Sequence, residues 1–196
     1  TPLGSIETDK EFIQKLATGL PTDHFEQELV HKKEHSIEFQ AVMLKHFIKK
    51  RFKIVPILAS FGHAELSNSN SRELKIFNQF ASRLKQLIQW YQGNVTIIAS
   101  VDFAHIGPRY GDANAPDRKF MAQVELSDRT VLRALEKFDR IGFQKNISQN
   151  ENRYRICGYS ALSTLMEIIE PTQSYQLDYS SAIMDDQKST VTFASL

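Results

Sequence analysis

Two short apolar runs, Phe52–Ser60 and Val95–Val101, constrain the fold most. Neither shows the polar alternation of a strand with one wet face, so each suits a strand covered on both sides. Between them Leu74, Phe77, Ala81, Leu84, Ile88 and Tyr91 recur at spacings of three and four, one apolar helical stripe that Gly93 stops. Strands joined by a helix need a crossover, which places them parallel and adjacent. The reading is α/β: a three-layer α/β/α domain with a mainly parallel central sheet. Pro56 weakens the first strand, because proline cannot donate to a ladder.

The remaining elements follow from local signals. Thr8-Asp-Lys-Glu11 and Asn70-Ser-Arg-Glu73 are capping-box patterns that open helices. The first helix turns Phe12, Ile13 and Leu16 inward and stops at Gly19. Ile37, Ala41, Leu44 and Ile48 share a face, which predicts a helix over Glu34–Lys50. Further helices are expected over Arg118–Phe138, Gly142–Gln149 and Gly158–Ile169, the last ended by Pro171. Ser174–Ile183 alternates, Asp185-Asp-Gln-Lys188 turns, and Ser189–Leu196 is strand-like again, so the chain should close on a β-hairpin. No repeat or linker divides residues 1–196, and a single domain is expected.

Charge narrows the function. Lys and Arg total 24 and Asp and Glu 23, a net charge of +1 that lacks the basic excess of a nucleic-acid-binding protein. No apolar run approaches the roughly 20 residues that span a bilayer, so no membrane is expected. Thr1–Lys10 shows neither a basic stretch nor an apolar one of a signal peptide. One cysteine excludes an internal disulfide and fits a reducing, cytoplasmic setting. There is no phosphate-binding glycine loop, no Cys-x-x-Cys and no Gly-x-Ser-x-Gly, which argues against a nucleotide cofactor.

Three segments could carry chemistry. In Ser100-Val-Asp-Phe-Ala-His-Ile-Gly107 a buried strand ends and releases Asp102 and His105, and ligands bind beyond the carboxyl ends of such strands. His105 could ligate a metal or act as general base, with Asp102 orienting it. It could equally be a hydrogen-bonded structural histidine. In Glu34-His-Ser-Ile-Glu-Phe-Gln40, His35 and Glu38 share a helix face and could reach one metal or substrate group, or form a plain surface pair. In Arg155-Ile-Cys-Gly-Tyr-Ser-Ala161, Cys157 lies at a helix start, where positive potential should favour its thiolate as a soft ligand or nucleophile. A small buried filler is the other reading. His24, His31, His46 and His63 join no constellation and are read as surface or packing residues.

Together these segments, with Ile54-Val-Pro-Ile-Leu58, Leu177-Asp-Tyr-Ser-Ser181 and the opening Thr1-Pro-Leu-Gly4, resemble the Memo family over nearly the whole chain. That family is the B component of bacterial AmmeMemoRadiSam systems and is similar to class III, LigB-type extradiol dioxygenases. The resemblance implies that His105 and Cys157 line one pocket with Asp102, as metal ligands and catalytic groups, with His35 and Glu38 beside the substrate. Family members usually carry an N-terminal segment with two histidine sites, in motifs such as Pro-His-Ala-Gly-Tyr and Ser-His-His. This chain is expected to begin after both. Val101 stands where a serine is usual, Tyr159 where an arginine is, and Ser160–Leu162 replaces a motif ending in Pro-Ile.

The expectation is a Memo-like protein with a remnant pocket that holds iron, copper or zinc weakly and serves a peptide or protein partner. By family analogy that partner is a radical-SAM system component. A metal-dependent oxidoreductase of the dioxygenase-like superfamily is the alternative. Missing N-terminal strands would leave an apolar edge uncovered, so a homo-oligomer is also expected.

Overall fold

Helices form where the sequence supplies both a stripe and a cap. The computed structural model describes every residue except 24, 27, 63–70 and 171–172. The short strand β1, Glu7–Thr8, leads into α1, Lys10–Ala17. Asp9, rather than Thr8, caps α1 by accepting from the Phe12 N–H. Next come α2, Ser36–Phe47, and β2, Lys53–Ile54. The crossover helix α3 spans Arg72–Trp90 and is capped by Ser71, which accepts from the Leu74 N–H. The expected cap at Asn70 and the roles of His24, His63 and Pro171 fall outside the described residues. The two-residue β3, His105–Ile106, precedes α4, Arg118–Glu136, α5, Arg140–Ser148, and α6, Tyr159–Ile168. The hairpin β4, Asp178–Ile183, and β5, Thr190–Ser195, closes the chain.

The chain is α/β, with both parallel and antiparallel strand pairs and the expected C-terminal hairpin. β1 pairs with β2 in parallel, and β5 lies between β3 and β4, antiparallel to both. The expected ladder between 52–60 and 95–101 is not present. Only Lys53–Ile54 forms a strand in the first run, and it pairs with β1 instead. Pro56 lacks the N–H to continue it. The second run forms no strand, and its backbone has no hydrogen-bond partner among the described residues. Val95, Ile97 and Ile98 are 43%, 36% and 45% exposed, so nothing described covers that edge.

The main core joins Phe12 of α1, Phe77 and Leu84 of α3, Leu132 of α4, Phe143 of α5 and Leu162 of α6 around Phe103. Phe103 therefore anchors the segment that carries Asp102 and His105. α2 is different. It has one apolar stripe through the buried Ala41 and a second through Phe39, Met43 and Phe47, which are 66%, 53% and 68% exposed. No described helix is long and apolar enough to cross a membrane.

Candidate functional site

β3 is short because its exit is cramped. Gly107 has φ +103, and a Cβ there would lie 2.7 Å from Ser189 Cα. Only glycine fits that approach. The chain then turns through Pro108–Tyr110, and Asp112 reaches back to accept from the Gly107 N–H at 2.7 Å. Arg155 grips the same carboxylate, Nη2 to Oδ1 at 2.6 Å, and donates from Nη1 to the His105 carbonyl at 3.0 Å. These Arg155 bonds, first, hold the Asp112 carboxyl below the usual carboxylate range. Glu151, Asn152 and Arg155 have φ of 48°, 50° and 55°, left-handed values that non-glycine residues hold only under constraint. The Asn152 side chain supplies part of it by bonding both the N–H and the carbonyl of Ile156.

His105 sits inside this frame. Its N–H donates to the Tyr154 carbonyl at 2.8 Å, and the Tyr110 ring meets its imidazole edge-on, centroids 5.0 Å apart. Nδ1 lies 3.1 Å from both the Phe103 and the Arg155 carbonyl oxygens. Carbonyl oxygens only accept, so Nδ1 carries the hydrogen. The other ring nitrogen, Nε2, lies 3.8 Å from Asp102 Oδ2.

Cys157 meets the same aspartate from the other side. A Cβ on Gly158 would fall 2.6 Å from Val101 Cβ and 3.1 Å from the Asp102 carbonyl. The glycine lets the start of α6 press against Val101 and Asp102, which places Cys157 Sγ 4.0 Å from the Asp102 carbonyl. The expected thiolate does not follow. Cys157 is exposed, so it is no buried filler, but the protein around its sulfur desolvates the thiol and pushes it up, and the Asp102 and Glu34 carboxylates push it the same way. These outweigh the helix-start potential.

The start of α2 joins the corner through backbone contacts. Ser100 Oγ donates to the Ser36 carbonyl at 3.0 Å, and the Ser36 N–H donates to Glu34 Oε1 at 2.7 Å. His35 and Glu38 form an exposed pair, Nδ1 to Oε2 at 3.5 Å. The residue whose charge reaches Cys157 from this side is Glu34, two positions before α2, which sequence reasoning gave no role. Arg155 and Asp112 also escaped it. Arg155 stands two residues before Cys157, but no spacing ties it to Asp112, 43 positions away.

Among the described residues no three His, Cys, Asp or Glu side chains converge as a metal cluster. A cavity of about 220 Å³ lies between α4 and α5, lined by groups such as Gln123, Asn146 and Tyr154, with neither His105 nor Cys157 in its wall.

The fold and the corner define an α/β protein that brings an imidazole, a thiol and carboxylates together where β3 begins. The family model of the Memo-like protein matches residues 1–196, and the chain belongs to the Memo family. A MEMO1 family protein of Aquifex aeolicus is 28% identical over 170 residues, covering 87% of this chain and 41% of that protein. One of Pyrococcus horikoshii is 31% identical over 163 residues, 81% of this chain and 52% of that protein. One of Nitrosopumilus maritimus is 23% identical across the whole chain, which spans 63% of it. The chain thus spans about half the length of the curated relatives it matches. No solved structure matches it.

Proposed function

We propose that this chain is a Memo-like binding or partner protein whose corner at His105, Asp102 and Cys157 holds a soft or borderline ion weakly. The observation that carries the reading is the His105 ring, whose Nδ1 is committed to two carbonyls while Nε2 faces Asp102 beside Cys157. An imidazole and a thiol are donors for iron, copper or zinc, with Asp102 supporting the ring rather than ligating. The donor types fit such an ion, but their number falls short of a tight site. A catalytic centre uses three protein ligands and an open position. The raised Cys157 thiol must also lose its proton to bind, which lowers affinity near neutral pH.

His35, Glu38 and Glu34, at the start of α2, would line the way to the corner for a peptide or protein partner. The lone cysteine supports a reducing, cytoplasmic setting, and the charge balance supports a partner other than nucleic acid. A partner from the radical-SAM system follows from the family resemblance alone.

Titrating the full chain with zinc and copper tests the reading. His105→Ala should abolish specific binding, and Cys157→Ser should weaken copper(I) more than zinc. Binding indifferent to both substitutions would end it. The second reading, a dioxygenase-like oxidoreductase, needs a third ligand. Tight binding of one iron per chain, lost in His105→Ala, would favour it.

A further inference from the structure

Asp128 on α4 has no solvent exposure, and its carboxyl points into the C-terminal hairpin. Its Oδ2 accepts from Thr192 Oγ1 at 2.5 Å and from Tyr179 Oη at 2.8 Å, while Oδ1 is buried without a partner. A carboxylate leaves half its charge on Oδ1, which no described residue hydrogen-bonds, and this disfavours the ionised form. Burial pushes this carboxyl up, and Glu125, one turn earlier, adds to the effect. The nearby cation, Arg129, lies over the Tyr179 ring, 5.3 Å from its centroid.

The Thr192 hydroxyl has a second duty. It accepts from the Ala104 N–H at 2.8 Å, in the residue just before His105. The same two residues also share a backbone bond, Thr192 N–H to the Ala104 carbonyl at 3.0 Å. With its lone pair given to Ala104, Thr192 directs its own proton at Asp128. The chain of bonds runs from Ala104 through Thr192 to Asp128, across three elements.

We propose that Asp128 is a positioning residue for the His105 imidazole. Acting through Thr192, it fixes the Ala104 backbone and so the direction in which the His105 side chain leaves β3. The proposal rests on the reading of His105 as the working imidazole of the corner.

Two readouts on the full chain, with no metal added, test it. One is the His105 tautomer, from the nitrogen shifts of its ring by NMR. The other is amide exchange at Ala104. Thr192→Val removes the hydroxyl and should speed Ala104 exchange about tenfold, the worth of one hydrogen bond. It should also cost His105 its single Nδ1–H tautomer. Thr192→Ser should preserve both readings, and Asp128→Ala should behave like Thr192→Val. A folded Thr192→Val or Asp128→Ala chain with both readings unchanged overturns the proposal. Should those two variants fail to fold, Asp128→Asn and Thr192→Ser decide. Both keep the hydroxyl and its acceptor, so native readings are expected in each, and a lost tautomer in either overturns it. Zinc binding indifferent to His105→Ala, with the tautomer and exchange still shifted in Thr192→Val, would instead sink the functional reading while showing that the bond chain orients the ring.

Discussion

At the scale of single residues, two glycines do what no other side chain could. Gly107 admits the Ser189 backbone against β3, and Gly158 admits Val101 and the Asp102 carbonyl against the start of α6. The second contact brings Cys157 beside Asp102, so site and packing share one constraint. Gly158→Ala should therefore cost about 1–3 kcal/mol, the usual penalty for overpacking. Adding Val101→Ala should recover part of it, read as a coupling in urea unfolding. A Gly158→Ala chain as stable as the parent would show that α6 is free to back away.

At the scale of elements, the loop before α6 and the turn after β3 are locked by Arg155 and Asp112. Because Arg155 holds the Asp112 carboxyl below its ordinary range, folded Asp112 binds fewer protons than unfolded Asp112 around that pH. Its contribution is present above the ordinary value of 3.8 and is lost as pH falls through the lower folded value. Asp112→Asn should then be less stable than the parent by about 1 kcal/mol near neutral pH, solvent screening of the half-exposed pair included. The difference should shrink in acid, and a gap independent of pH would contradict the assignment. Such a lock is invisible to periodicity. Helices α1, α3 and α4 could be read directly, because stripes and caps are local signals. The ladder expected for Val95–Val101 could not, since a strand is completed by neighbours that its own residues do not encode. His105 was legible as a residue that could carry chemistry, but the strand expected to end before it does not form, and His105 instead opens β3. Glu34, Arg155 and Asp112 were not, because their roles depend on contacts between distant segments.

At the scale of the molecule, the uncovered surface is the feature to explain. The 95–101 backbone has no hydrogen-bond partner among the described residues, and the Phe39, Met43 and Phe47 stripe of α2 presents an apolar face to solvent. Such surfaces invite pairing with a second copy. Light scattering on the purified chain should show mass rising with concentration, and Ile97→Lys with Phe39→Glu should suppress it. A monodisperse monomer at every concentration would count against that expectation.

The central claim is that His105 and Cys157 serve one ion, and X-ray absorption at the zinc edge tests it most directly. On the zinc-loaded chain the account expects one sulfur at about 2.3 Å and imidazole nitrogen at about 2.0 Å, with oxygen filling the remaining positions. The sulfur should vanish in Cys157→Ser and the imidazole signature in His105→Ala. A zinc shell without sulfur, or one that both substitutions leave unchanged, would contradict it.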